Sequence, residues 1–353
     1  MYSDVDKQSA LTPGYTETII NRLIIRENAM SAIPYSRYIV YPIPWYSFLI
    51  VLGAALAVFI ASREEQRVGL KKDTIIDLSL FLLPAGILGA RIYYVLFSWQ
   101  DFRNDIGSVF RIWEGGLAIY GGIIAGFVTI LIFCRKRRLP FLLLCDIIVP
   151  GLALAQSIGR WGNYFNIEAY GWTVQNPHFC LFPLAVQVPA DGYAWHLATF
   201  FYESFWDFIV FIYLLARRKR SHRQGAIFFS YAFLYACGRL VIEELRLDSL
   251  YAASSVRISQ LISVLICILI FILCQIRFSR SEKRKLPFML WTSVFSVSLL
   301  LLLIYSLFPS SLLSLSQENR IIILLVCSAT LIISYVLYFS KSLSMKEIRN
   351  AYN

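Results

Sequence analysis

The stretch SIGRWGNYFNIEAYG, residues 157–171, places several polar side chains directly after an apolar run. It contains one cation, Arg160, two amides, Asn163 and Asn166, and one carboxylate, Glu168. A guanidinium group binds a phosphate through two parallel hydrogen bonds, and amides supply further donors. These residue types at this spacing predict a binding site for an anionic group at the end of an apolar segment.

The composition of the chain indicates a membrane setting for this stretch. The 353 residues are 58% hydrophobic and only 16% charged, whereas soluble domains carry roughly 25% charged residues. The net charge of +11 lies in short basic clusters between apolar runs. That distribution is typical of attraction to anionic lipid and control of topology. We therefore expect membrane lipids as partners and no nucleic acid.

The cysteines and histidines do not suggest a metal site. Six of the seven cysteines lie in apolar runs and none forms a CxxC pair, so we expect buried thiols acting as small apolar side chains. The three histidines are scattered, at His178, His196 and His222. No cofactor and no metal are expected.

Spanning helices must position the polar groups. A membrane-spanning helix needs about 20 mostly apolar residues. Nine segments fit, centred near 44–61, 75–97, 117–134, 141–158, 199–216, 226–243, 258–276, 288–308 and 320–339. The predicted fold is an all-α integral membrane protein, a polytopic helix bundle with a seven-span core and two extra C-terminal spans.

The loops predict orientation and domain organisation. Basic clusters follow every second span, and cations stay on the cytoplasmic side, so the N-terminus is predicted outside and the C-terminus in the cytoplasm. Residues 1–37 do not have the order of a signal peptide and are expected to form an extracytoplasmic extension. A core over 38–276 and a basic cytoplasmic linker over 277–287 follow. Residues 288–353 complete the chain with two plain lipid-facing helices and a cytoplasmic tail.

With this topology, polar residues gather at the outer ends of the spans, at Tyr46, Arg91, Tyr120, Arg160, Thr199, Tyr202, Glu203, Arg239, Glu243, Ser259 and Gln260. Three arginines from three spans are therefore predicted to meet at one depth. A single interfacial arginine commonly snorkels to the headgroups, but snorkelling explains three convergent arginines less well. We expect a phosphate pocket, in which Glu168, Glu203 and Glu243 either hold the guanidinium planes or serve as plain salt-bridge partners.

The stretch GRWGNYFNIEAYG closely resembles the signature of the prolipoprotein diacylglyceryl transferase family, G-R-x-G-N-[FY]-x-N-x-E-x-x-G. Similar stretches occur in the family's order: IPWYSFLI around Tyr46, GILGARIYYVLF around Arg91, IWEGGLAIYGG around Tyr120, ATFFYES at 198–204, YACGRLVIEELRLD at 235–248 and ISQLISV at 258–264. The resemblance covers residues 38–276.

The resemblance implies an enzyme of the bacterial cytoplasmic membrane whose active site faces the outer leaflet, in agreement with the predicted topology. Such enzymes transfer the diacylglyceryl group of phosphatidylglycerol to the lipobox cysteine thiol of a preprolipoprotein. A thioether forms and glycerol-1-phosphate is released, in the first step of lipoprotein maturation. The implied partners are phosphatidylglycerol and the lipobox of the signal peptide.

The resemblance also implies roles for individual residues. The catalytic group comprises Arg160, Arg239, Tyr120 and Glu168. The expected headgroup pocket comprises Arg160, Asn163, Asn166, Tyr46, Arg91, Tyr235, Gly171, Glu203, Glu243 and Arg246.

Two positions depart from the family pattern and leave the proton acceptor open. Many members carry His where this chain has Tyr120, and tyrosine has an ordinary pKa near 10, so Tyr120 is expected to orient the headgroup or the thiol. His196 stands three positions before Thr199 where the pattern needs two, and its role stays open. Glu168, the bound phosphate or water could accept the proton.

Two other functions compete with this interpretation. A transporter of anionic lipid would use the same arginines, but the cytoplasmic halves of the spans carry almost no charge, whereas transporters place polar sites at the midplane. A catalytically inactive homologue would bind phosphatidylglycerol or lipobox peptides. Tyr120 and the two extra spans favour this second alternative.

Overall fold

Nine long helices dominate the computed structural model, which describes residues 36–219, 224–253, 256–277, 286–307 and 317–339. They are α1 Trp45–Arg67, α2 Thr74–Phe97, α3 Ile119–Arg137, α4 Phe141–Asn166, α5 Thr199–Arg218, α6 Ala226–Leu245, α7 Ile258–Arg277, α8 Leu286–Leu307 and α9 Gln317–Ser334. A π-helical segment, Tyr335–Phe339, continues α9.

Short elements connect the helices at their ends. Three antiparallel hairpins pair β1 with β2, β3 with β4 and β5 with β6. Their bounds are Tyr38–Val40 and Ile43–Pro44, Ala185–Val188 and Ala194–Leu197, and Tyr251–Ala253 and Val256–Arg257. A short helix, Trp99–Phe102, and 3-10 turns lie between α2 and α3 at Ile106–Phe110 and Ile112–Glu114, and between α4 and α5 at Pro177–Phe179 and Pro189–Asp191.

Eight of the nine helices are long and apolar enough to cross a membrane. The remaining one, α8, is 22 residues long, and its apolar segment Thr292–Leu307 is described in full. The predicted all-α polytopic bundle is confirmed, with eight candidate spans in the described residues where the sequence predicted nine. The orientation of the termini stays a prediction.

Small residues bring the central helices into backbone contact. A Cβ on Gly151 of α4 would lie 2.7 Å from the carbonyl oxygen of Ala57 in α1, and one on Gly53 would lie 3.1 Å from the Cα of Ala155. Small side chains allow such close approach between membrane helices. As a result, α4 packs on α1 along one side and on α5 and α6 along the other.

The two C-terminal helices dock on the core through one face, a possibility that the sequence left open, and expose apolar side chains such as Leu290, Leu301 and Ile322 on the other. Tyr335 stacks on Phe233 of α6 at 4.4 Å and shares a 3.0 Å hydrogen bond with Ser230. Phe295 of α8 stacks on Phe271 of α7 at 4.8 Å. Aromatic side chains on α8 and on the π-helical segment after α9 form this interface, which hydropathy alone does not reveal, because it does not distinguish a lipid-facing helix from a packed one.

The charged residues separate toward the two ends of the bundle. At one end, here called the Glu64 end, Arg218 Nη1 lies 3.1 Å from Glu64 Oε2, and Arg137 Nη2 lies 2.7 Å from Asp77 Oδ2. These arginines belong to the basic clusters that the sequence placed together. The predicted site residues gather at the opposite end, here called the Glu203 end.

All seven cysteines are free thiols, and six of them are buried. This confirms their expected packing as small apolar side chains.

Candidate active site

Three arginines meet one buried carboxylate, Glu203 of α5, which is only 4% exposed. Arg160 Nη1 from α4 lies 2.8 Å from Glu203 Oε2, and Arg246 Nη1, just after α6, lies 3.2 Å from the same oxygen. Arg239 Nη1 from α6 donates to Glu203 Oε1. Arg160, Arg239 and Arg246 are called the arginine cluster below. The Glu203 carboxylate holds the three guanidinium groups of this cluster together.

Two further carboxylates bind the guanidinium groups of Arg239 and Arg246. Arg239 Nη2 lies 2.5 Å from Glu243 Oε2, one helical turn along α6. Arg246 donates to both oxygens of Asp248, at 2.8 Å from Nε and 2.5 Å from Nη2. Burial alone would raise the pKa of Asp248, but the hydrogen bond and the charge of Arg246, together with smaller contributions, outweigh it and hold that pKa below its usual value.

The loop after α4 fixes the carboxylate of the signature stretch. Asn166 Nδ2 donates to Glu168 Oε1 at 3.1 Å, and the Glu168 N–H donates to the Asn163 carbonyl at 3.0 Å. Ile167 and Ala169, on either side, both have φ of +58°. A β-branched residue in this region is strained by about 1–3 kcal/mol, and such strain clusters at functional sites. The loop thereby places an exposed Glu168 at the Glu203 end.

Tyr46, at the start of α1, lies directly against the signature segment of α4. A Cβ on Gly162 would lie 2.6 Å from Tyr46 Cδ2, so only glycine permits this approach. Both Glu168 and Arg160 lie within electrostatic reach of the Tyr46 hydroxyl. The structure therefore brings Tyr46 together with the Arg160 loop, as the sequence predicted.

Gly171 and His196 connect this loop to the β3–β4 hairpin. The Gly171 N–H donates to the Leu197 carbonyl at 2.9 Å, and a Cβ at Gly171 would lie 2.6 Å from the Leu245 carbonyl oxygen. His196 Nδ1 lies 2.8 Å from the Gly171 carbonyl oxygen, and Nε2 lies 2.9 Å from Asp191 Oδ2. Both residues hold the backbone of the loop in place.

An apolar cavity of about 400 Å³ opens beside the arginine cluster, between α1, α2 and α4. It is called the α1–α4 cavity below. Tyr46, Arg160, Asn163 and Tyr235 line its polar mouth. The remaining walls are almost entirely aliphatic. One site thus joins a cluster of ion-paired arginines to an apolar chamber.

Arg91 is placed elsewhere. Its buried guanidinium donates to the carbonyls of Val109 at 2.9 Å, Gly115 at 2.6 Å and Ser108 at 2.6 Å. These bonds hold the loop between α2 and α3. The sequence predicted that Arg91 shares the depth of Arg160 and Arg239. In the structure loop carbonyls occupy its donors, and the third arginine of the cluster is Arg246.

Tyr120 lies at the start of α3 and is not in contact with the arginine cluster in any ion pair or hydrogen bond among the described residues. Its side chain is 37% exposed, and its ring lies 6.4 Å from that of Tyr93. The preceding residue, Ile119, lines the α1–α4 cavity. Tyr120 thus follows directly on a residue of the cavity wall, without being part of that wall.

Asp207 is a site residue that the sequence reasoning missed. It lies one turn from Glu203 on α5 and is only 3% exposed. Its Oδ2 has no hydrogen-bond partner in the described part of the chain, and its side chain lines a small cavity with Arg160, Arg239 and Tyr235. Asp207 stands four residues after Glu203, which places the two carboxylates on one face of a helix. This spacing is the sequence signal that could have identified Asp207.

Comparison with known proteins adds independent findings. A family described as prolipoprotein diacylglyceryl transferase matches residues 35–276. The phosphatidylglycerol–prolipoprotein diacylglyceryl transferase of Enterococcus faecalis is 42% identical over 258 residues, covering 69% of this chain and 92% of the relative. The protein of that name from Oceanobacillus iheyensis is 42% identical over 238 residues, covering 65% and 83%. The one from Halalkalibacterium halodurans is 41% identical over 232 residues, covering 65% and 80%.

Proposed function

This chain belongs to the prolipoprotein diacylglyceryl transferase family, and on that premise we propose that the arginine cluster and the α1–α4 cavity form its phosphatidylglycerol site. The protein is a multi-pass membrane transferase that moves the diacylglyceryl group of phosphatidylglycerol to prolipoproteins. The proposal concerns which residues perform this reaction and how.

The position of Arg160 carries the proposal. Its side chain belongs both to the arginine cluster, through Glu203, and to the mouth of the α1–α4 cavity. A phospholipid has the same two-part character, with an anionic headgroup joined to apolar chains. In the proposed complex the phosphate lies on Arg160 and Arg239, Asn163 and Tyr46 contact the headgroup, and a chain extends into the cavity.

The reaction then follows from the charges. The lipobox thiolate attacks the glycerol carbon that bears the phosphate, so a C–S bond forms and the C–O bond breaks. The electron pair moves to the phosphate oxygen, and glycerol-1-phosphate leaves. Only the thiolate is a competent nucleophile, and fixed guanidinium groups in a water-poor site stabilise the charge that develops on the leaving group.

We assign the thiol proton to Glu168. Its carboxylate is exposed at the Glu203 end, is oriented by Asn166 and lies within electrostatic reach of Tyr46. An exposed acceptor can release the proton to water after each turnover. Tyr120, which follows the cavity-lining residue Ile119, orients the headgroup or the thiol.

The distribution of basic residues between the two ends of the bundle supports the proposed orientation in the membrane. The Glu64 end carries the basic clusters that the positive-inside rule assigns to the cytoplasm. The Glu203 end then faces the outer leaflet of the bacterial cytoplasmic membrane. There the arginine cluster meets both phosphatidylglycerol headgroups and the lipobox of an emerging signal peptide.

The experiment is transfer from radiolabelled phosphatidylglycerol to a lipobox-cysteine peptide by purified protein in detergent. We expect thioether-linked label and released glycerol phosphate with the wild type. Arg160→Ala and Arg239→Ala are expected to abolish transfer, since removing one donor to a developing charge costs about 100- to 1,000-fold. Arg137→Ala, at the Glu64 end, is the matched control and should retain activity. Normal turnover in the first two variants would contradict the proposed site.

A further inference from the structure

The α1–α4 cavity has an open rim and a closed floor. At the rim, Ile50 is 47% exposed and Leu83 is 48% exposed, so a chain can enter sideways from the bilayer. At the floor, Ala61 and Ile75 are each 3% exposed and Leu78 is 1% exposed. These three floor residues also belong to a buried hydrophobic cluster. A ligand can therefore enter from the side but cannot pass beyond the floor.

The depth of the cavity matches an extended acyl chain. Tyr46 at the mouth and Ala61 at the floor are 15 positions apart on α1, which at about 1.5 Å per residue gives about 22 Å. One leaflet of hydrocarbon is only about 15 Å thick. A chain that fills the cavity must therefore be more extended than in the bilayer, with its methyl end near the floor.

The volume suits one chain and not two. The cavity of about 400 Å³ lies at the lower end of the range of about 300–1,000 Å³ that accepts drug-sized ligands. A phospholipid with two chains is larger than such ligands, whereas a single chain is smaller. The second chain therefore stays in the surrounding lipid.

Three alanines of α1 leave the space in which the chain would lie. Ala54, Ala57 and Ala61 all line the cavity, and their spacing of three and four residues places them on one helix face. The wall that carries them is fixed, because a Cβ on Gly151 of α4 would lie 2.7 Å from the Ala57 carbonyl oxygen. A larger side chain on this face would shorten the cavity, since α1 cannot move away from α4 without breaking that contact.

We propose that the α1–α4 cavity selects phosphatidylglycerol by acyl-chain length, with Ala54 and Ala61 setting the usable depth. One chain enters the cavity and its length must match the distance to the floor. This inference rests on the proposed function, because it assumes that the headgroup lies at Arg160.

The test measures kcat/KM for phosphatidylglycerols with matched saturated chains, from lauroyl to arachidoyl, in one detergent. The wild type is expected to lose efficiency once the chain exceeds the cavity. Ala61→Leu, at the floor, should lower the efficiency for the longest accepted chain about ten-fold, since a methylene in an apolar pocket changes efficiency about 10- to 200-fold. Ala54→Leu, closer to the mouth, should exclude shorter chains as well. Ala55→Leu, on an exposed part of α1 outside the cavity, is the matched control and should keep the wild-type profile.

The decisive result is the chain length at which each variant loses efficiency, which should be shorter for Ala54→Leu than for Ala61→Leu. A general loss of stability would instead lower activity equally for all chains. Parallel profiles in the wild type and in Ala54→Leu would overturn the inference, even if Ala61→Leu failed to fold. A wild type that accepts all chains equally would overturn it as well. A wild type that transfers no chain at all would instead contradict the proposed function, so the two failures are distinguishable.

Discussion

Glu203 is the residue on which the site depends. Its buried carboxylate contacts all three arginines of the cluster. With Glu243 and Asp248, which pair with Arg239 and Arg246, three carboxylates balance three guanidinium groups. A buried ion group loses about 3–5 kcal/mol when one partner is removed, so these residues support one another. In the proposed complex, the anionic headgroup would meet guanidinium groups that these carboxylates already hold in place.

Tyr120 gives the first prediction at this scale. Tyr120→Phe should lower transfer about two- to twelve-fold, since one hydrogen bond contributes about 0.5–1.5 kcal/mol, whereas Tyr120→His should retain activity because imidazole can supply the same contact. The measurement is kcat/KM in the radiolabelled transfer assay. Tyr93→Phe, which alters the neighbouring ring in the same way, is the control. An unaffected Tyr120→Phe variant would remove Tyr120 from the chemistry.

Asp248 gives a prediction of pH dependence. Arg246 holds the pKa of Asp248 below its usual value, so this contact contributes stability above the ordinary pKa of about 3.9. That contribution is lost as the pH falls through the lowered pKa of the folded state. Asp248→Asn should therefore reduce the melting temperature at neutral pH and lose less on acidification than the wild type. Asp101→Asn, at an exposed aspartate, is the control; identical acid profiles for wild type and Asp248→Asn would contradict the prediction.

Among the elements, α4 contributes most to the site. Its last turns carry Arg160, Gly162 and Asn163, and it packs on both α1 and α5. Because α1 brings Tyr46 and α5 brings Glu203, one helix aligns the proposed headgroup contacts with the arginine cluster. The α2–α3 loop is a separate element, held by the carbonyl contacts of Arg91.

Two glycines of the signature are predicted to behave differently. Gly162→Ala should destabilise the protein by about 1–3 kcal/mol, the usual cost of overpacking, since the new Cβ would lie 2.6 Å from Tyr46 Cδ2. Gly159→Ala meets nothing within 4 Å and should be neutral or stabilising by about 0.5–1 kcal/mol, because alanine favours a helix. Melting temperatures in detergent make the comparison. Equal effects of the two substitutions would show that the Tyr46 contact is not restrictive.

Considered as a whole, the molecule is a family core with two further helices attached. The family match ends at residue 276, yet α8 and α9 pack on α6 and α7. At the Glu203 end, Arg320 of α9 lies 3.4 Å from Glu244, which also receives a hydrogen bond from Gln260 at 3.3 Å. Glu244 follows Glu243 directly, so α6 bears one carboxylate toward the site and the next toward the added helices.

This arrangement predicts the effect of removing the C-terminal helices. A protein that ends at residue 277 should melt several degrees lower, because Phe233 and Ser230 lose the packing of Tyr335. It should still transfer the diacylglyceryl group, since every residue of the arginine cluster precedes the cut. Melting temperature and transfer are measured on the same preparations. An unchanged melting temperature would show that the helices add no stability, and loss of transfer without a change in melting temperature would assign them a role in the reaction.

The sequence by itself determined the fold class, most of the helix bounds and much of the site. Hydrophobicity over about 20 residues is a local property, so the eight candidate spans were visible without a structure. The alternation of basic loops fixed which helix ends lie together, and this placed Arg160, Glu203, Arg239 and Glu243 at one end. The signature stretch then identified the family, which the comparisons confirmed.

Only the tertiary structure decided which side chains meet. From the sequence, Arg91 and Arg246 are both expected near the same end of the helix bundle. In the structure, loop carbonyls bind Arg91, whereas Glu203 binds Arg246. Asp207 emerged only from its burial beside the cluster. The docking of α8 and α9 was equally invisible to hydropathy. The physical reason is the same throughout: partners across helices depend on how each helix is rotated and packed, and no local pattern of residue types encodes that rotation.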